Sequence, residues 1–204
     1  GWNPGTEQEI FSLEELTKAF SFERCSKSGA KFDVEKAKWY NHQYILKMPD
    51  SDLATLFVPL IREKGITVSL EKVTRVVALV KERIHFAKEL WDQSAYFFVA
   101  PERYDEKTIR KRWKKETPDQ MRQLMALIEE MDDFSPAYQE KTVMDWIQQH
   151  GFHTGNIMNA FRLAIVGEGK GVHMFDITEV IGKEETLNRL QKAIDTIPLP
   201  DENV

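Results

Sequence analysis

The sequence predicts an all-α fold, and three observations carry that prediction. Apolar residues recur at helical spacing along most of the chain. Residues that open and close helices punctuate the pattern at intervals. No stretch shows the sustained apolar–polar alternation that a half-buried strand needs.

Ser12 followed by Glu15 forms a capping box that opens the first helix, SLEELTKAF. Asp33 caps the second, which ends before Pro49. A third starts near Ser51, is kinked at Pro59 and closes at Gly65. Ser69 then opens the longest predicted helix, running to Phe98, with Val73, Val76, Val77, Val80 and Ile84 along one face. Its four β-branched valines would also suit a strand, but their spacing is helical.

Thr117, Pro118 and Gln120 mark the next start: cap, first-turn proline, glutamine three after the cap. Ser135–Pro136 opens a helix to Gln149, and Asn156 opens another that stops at Gly167. FDITEVI, closed by Gly182, and KEETLNRLQKAI complete the set. Connectors at Gly65–Ser69 and Asp132–Pro136 divide the chain into residues 1–66, 67–133 and 134–204.

With 42% hydrophobic residues in 204, a packed interior is available. No apolar run has the length of a membrane span, and GWNPGTEQEIF lacks the basic-then-apolar layout of a secretory signal. The lone Cys25 cannot form an internal disulfide, which fits a reducing, cytoplasmic setting, and is expected to be a small buried spacer. Catalytic and metal-binding roles are poorly supported. His150 and His153 flank Gly151 with no further ligand to complete a metal set, and no phosphate-cradling glycine motif follows a strand.

The net charge of −5 argues only weakly against a nucleic-acid partner, because phosphate contacts act locally. Residues 107–115, KTIRKRWKK, hold six basic residues and no acid, while acids gather at Glu129–Asp133 and in the tail. Arg110 and Arg112 are candidate phosphate contacts there. Trp113 either stacks on a base or joins Ile109 in anchoring the helix, and the pattern leaves both open. Lys27 and Lys31 flank Gly29 in a loop that either touches an RNA backbone or is a solvated turn. Arg83 sits at the rim of the valine stripe, where its stem could equally cover apolar surface. The loop at Glu168–His173 is the most RNA-like feature. Gly169 and Gly171 permit close backbone approach, Lys170 could meet a phosphate and His173 could stack. A plain helix connector is the competing reading.

Taken together, four blocks resemble the C-terminal portion of bacterial glutamyl-tRNA synthetases, in order and spacing. They are GWNPG (1–5), FSLEEL…FERCSKSGAKFDVEKAKWYNHQYI (11–45), LVKERIHFAKELWDQSAYFF (79–98) and FRLAIVG…MFDITEVIGKEETLNRL (161–190). The resemblance implies a helical stem-contact region followed by two small helix bundles that form an anticodon-binding domain. It implies tRNA(Glu) as partner, with Arg83 facing the third anticodon letter. Arg162 and the Gly171, Val172, His173, Met174 turn would hold the other letters. Lys27 and Lys31 would face the tRNA's inner corner. Aminoacylation with glutamate, ATP and Mg²⁺ belongs to a catalytic domain whose HIGH and KMSKS motifs are not in this sequence, so no cofactor is expected here. A monomer is expected. Val172 and Val166 replace a proline and a threonine common in the family. Two rival readings remain: a helical protein–protein adaptor, and a synthetase serving both glutamate and glutamine tRNAs.

Overall fold

In the computed structural model, which describes residues 1–199, eleven α-helices and four short 3-10 turns account for the regular structure. The last five residues of the predicted third region lie outside the described residues. Among those described, extended pairing is limited to an isolated bridge between Trp2 and Cys25.

Local chemistry explains most boundaries. Helix α1 (Leu13–Ala19) opens on the Ser12–Glu15 capping box, with both reciprocal hydrogen bonds formed. Asp33 caps α2 (Val34–Lys47) through Lys36 N at 3.0 Å. Helix α3 (Asp50–Glu63) carries Pro59 in its interior and buries Leu53, Phe57 and Ile61. Ser69 caps α4 (Leu70–Val80), whose Val73, Val76, Val77 and Val80 are all buried. The spacing of these valines, rather than their β-branching, decided the element.

The long helix predicted from Ser69 to Phe98 is instead broken. After α4 the chain makes a 3-10 turn at Lys81–Arg83, then an extended step at Ile84 (φ −116°, ψ 143°). It resumes as a 3-10 turn at Ala87–Glu89, α5 (Leu90–Ser94) and a further 3-10 turn at Ala95–Phe97. The polar backbone groups freed by the break are taken up by side chains of α2 and by Glu89, a tertiary arrangement no helical window reveals.

Asp105 caps α6 (Glu106–Arg112). Helix α7 (Thr117–Glu129) takes Glu116 as its N-cap, so Thr117 is not the cap. Thr117 is buried, and its hydroxyl accepts from Lys114 N at 2.8 Å. Pro136 opens α8 (Pro136–Gln149). Helix α9 (Thr154–Val166) starts two residues before Asn156, because the His153 ring accepts from Asn156 N at 3.3 Å and caps it. Gly167 (φ +87°) ends α9, and α10 (Met174–Ile181) and α11 (Lys183–Thr196) complete the chain of helices.

One continuous core, from Ile45 onward, holds the helices after α1 together; α1 itself buries no residue. Helix α3 lies along α4, α7 packs on α9 and α11, α8 on α10, and α10 reaches across to α4. Packing therefore runs across both predicted seams. Arg75 of α4 also pairs with Glu179 of α10. Cys25 is half-buried rather than enclosed, with Sγ 3.8 Å from the Ser21 carbonyl. No helix among the described residues is long and apolar enough to cross a membrane.

Candidate nucleic-acid interface

The loop between α9 and α10 is built around an arginine. Arg162, on α9, donates Nη1 to the Val172 carbonyl at 2.9 Å, with the Lys170 carbonyl at 3.5 Å. The Val172 N–H donates to the Tyr96 hydroxyl at 3.3 Å. Gly171 lies at φ +129°, and a Cβ there would sit 3.1 Å from Arg162 Nη1 and 3.5 Å from the Tyr96 ring. The turn closes on these two side chains only because Gly171 has none of its own.

Arg83, in the 3-10 turn just before the break, is near enough for its charge to be felt by both Arg162 and Tyr96. Burial pushes the Arg162 guanidinium below its usual range; Tyr96 opposes that shift and the neighbouring Arg83 charge adds to it. Burial raises the Tyr96 hydroxyl, while its Val172 bond and both arginines pull it down. Among the described residues neither arginine has a carboxylate partner, and the Arg83 side chain makes no hydrogen bond. Arg83 is exposed and Arg162 half-buried. Arg162, bonded to the turn and with N–H groups to spare, and the exposed Arg83, whose charge acts on it, are both donor-only cations suited to an acceptor-rich or anionic ligand.

The remaining candidates fall out differently. The side chains of Val172 and Met174 turn into the core, 5% and 2% exposed, which leaves only their backbone to face a ligand. Both backbone polar groups of Val172 are also engaged. An apolar side chain beside the Gly171 turn gains more from the core than from water. His173 stays exposed, but its ring lies between Glu140 (3.6 Å) and Asp176 (3.8 Å). Lys170 pairs with Glu168 at 3.0 Å.

Arg110 is exposed beside Glu106 at 3.3 Å, and Arg112 donates to Asn156 Oδ1 at 3.1 Å. Trp113 is wholly buried and anchors α6, so it cannot stack on a base. The basic helix nevertheless adjoins the loop: Asp105 N donates to the Gly167 carbonyl at 2.8 Å. Lys27 and Lys31 are exposed in the loop before α2 and make no hydrogen bond or ion pair among the described residues. His150 packs its ring on Phe152. No group of three or more His, Cys, Asp or Glu among the described residues is placed to hold a metal.

Sequence reasoning missed Tyr96 and Arg189. Arg189, on α11, is buried and donates to the carbonyls of Tyr96 (2.6 Å) and Ile165 (3.0 Å) and to Glu185 (2.7 Å). It braces from below the residue whose hydroxyl holds the turn. Nothing in its local sequence marks it, since an arginine in an amphipathic helix is expected on the solvent side.

Comparison with known proteins gives this geometry a family. A family model described as the anticodon binding domain matches residues 37–194. The glutamate–tRNA ligase of Phocaeicola vulgatus is 55% identical over 197 residues, and that of Porphyromonas gingivalis 51% over the same length. Each alignment covers 97% of this chain and 39% of the relative, so the chain spans about two fifths of the curated relatives it matches. The crystal structure of a glutamate tRNA ligase from Elizabethkingia meningosepticum superposes with a TM-score of 0.92 at 37% identity. It, too, is matched over 97% of this chain and 39% of its own length. With a matching model over residues 37–194 and the same fold in a solved relative, the chain belongs to the anticodon-binding-domain family.

Proposed function

We propose that this chain recognises tRNA(Glu) by its anticodon and stem, within a longer ligase that joins glutamate to that tRNA using ATP. The observation that carries the reading is the Gly171 turn closed on Arg162 and Tyr96, with Arg162 lacking an acidic partner among the described residues and the exposed Arg83 charge acting on the same pair. Arg83 offers donors to N3 and O2 of a cytosine third letter, whereas guanine presents donors along the same edge and leaves both sides unpaired. Arg162 has most of its donors free, and with the exposed His173 it faces the other letters. The Gly171 turn lets the main chain come close, and Val172 and Met174 support it from beneath. Lys27, Lys31, Arg110 and Arg112 meet phosphates. ATP and Mg²⁺ would be handled in the part of the longer protein that this chain does not span.

The test is a titration with anticodon stem-loops carrying C or G at the third letter. Arg83→Gln should lower the preference for C about tenfold, or about 1.4 kcal/mol, toward the low end of the roughly 1–3 kcal/mol that an unmade hydrogen bond costs once buried in the complex. An unchanged ratio would remove Arg83 from the reading. Full-length tRNA should bind with a steep inverse dependence on salt. Replacing Arg110 and Arg112 together by Ala should weaken all tRNAs alike and reduce the log–log salt slope by roughly 1.5. Binding indifferent to both tRNA and salt would point to the adaptor reading instead.

A further inference from the structure

Arg83 sits on a short 3-10 turn, a poor platform for a residue that must present a guanidinium at fixed geometry. The extended segment immediately after it has a backbone held almost entirely by side chains. His42 Nδ1 lies 2.6 Å from the Ile84 carbonyl; because a carbonyl only accepts, Nδ1 carries the proton. Asn41 Nδ2 donates to the His85 carbonyl. One Glu89 carboxylate oxygen accepts from both His85 N (2.8 Å) and Phe86 N (3.3 Å). The His42 and His85 rings pack at 5.1 Å. On the other side of Arg83, Lys81 Nζ reaches the Met48 carbonyl at 2.5 Å and Asp50 at 2.9 Å, at the junction of α2 and α3. The backbone on both flanks of Arg83 is thus held, by Asn41 and His42 from the middle of α2, by Glu89, and by Lys81 at the junction after α2.

We infer that Asn41 and His42 are positioning residues for Arg83, and that through them α2 sets the aim of the anticodon-reading guanidinium. The same helix opens at Asp33, just after the loop bearing Lys27 and Lys31. Backbone contact at the stem and base reading at the anticodon therefore share one rigid element. The inference rests on the proposed role of Arg83 and adds residues that touch no RNA.

The experiment compares four variants on the C and G stem-loops, alongside thermal unfolding: Arg83→Gln, Asn41→Leu, His42→Phe and His42→Asn. Leucine and phenylalanine keep approximate shape and remove the donor; asparagine places Nδ2 where Nδ1 stood. Asn41→Leu and His42→Phe should each lower the C-over-G ratio about fivefold, and His42→Asn should restore it, whether or not the midpoint of unfolding moves. A ratio unchanged in Asn41→Leu and His42→Phe, with Arg83→Gln still collapsing it, overturns the positioning role and leaves the Arg83 reading intact. A His42→Asn ratio no better than that of His42→Phe also overturns it. If Arg83→Gln itself leaves the ratio untouched, the reading falls and this inference falls with it.

Discussion

Replacing Arg189 with Met should lower the free energy of unfolding by about 3–5 kcal/mol, because two buried carbonyls would lose their donor at roughly 1–3 kcal/mol each. The guanidinium is 2% exposed and its ionisation is pushed down by burial, with Glu185 pushing it back up. Met fills the space but cannot donate. Glu185 loses less, since its side chain is 38% exposed and can turn to water. The Ile165 carbonyl is one of the orphans in the last turn of α9, where a cation is also favoured by the helix dipole. For a chain of this size, such a loss corresponds to a fall in Tm on the order of 10 °C. Because Arg189 holds the Tyr96 carbonyl and Tyr96 holds Val172, affinity for the anticodon stem-loop should fall as well. Urea denaturation reads the first effect and titration the second. A midpoint of unfolding indistinguishable from that of the parent chain would show that the two carbonyls find other donors.

Gly167→Ala should cost about 3 kcal/mol. At φ +87° a residue with a Cβ loses roughly 1–2 kcal/mol to backbone sterics alone. The added carbon would also stand 2.8 Å from the Arg103 carbonyl oxygen and 2.8 Å from Pro101 Cβ, neither of which can swing aside like the end of a long side chain. The same residue's carbonyl accepts from Asp105 N, so the strain falls where the loop meets the basic helix α6. Gly169→Ala, two residues on, is the internal control. Its Cβ would meet only Thr108 Oγ1 at 3.6 Å, an ordinary contact, and its effect should stay within about 0.5 kcal/mol. Equal losses at the two positions, measured by chemical denaturation, would show that neither the backbone angle nor the close contacts at Gly167 matter.

Much of the fold was legible because caps are local. Ser12, Asp33 and Ser69 act within three residues of themselves, and each does so in the structure. Gly167 and Gly182 end helices for equally local reasons. The break after Arg83 was not legible. Val80 and Ile84 are spaced as on one helix and both are buried, so periodicity cannot distinguish a continuous helix from a turn that returns Ile84 to the core. Trp113 shows the same limit: its basic neighbours suit an RNA-stacking aromatic, yet its indole anchors α6.

The sequence by itself determined an all-α chain, many of its helix limits, and which segments are rich in basic residues. Those features arise from interactions spanning a few residues, whose partners are close along the chain. The tertiary structure alone decided that Arg162 closes the Gly171 turn, that Val172 and Met174 face inward, that Tyr96 and Arg189 support that turn, and that Asn41 and His42 hold the segment after Arg83. Most such contacts join residues tens of positions apart. Their existence depends on how whole helices pack, because a buried polar group needs a partner and only the packed core determines which one is near.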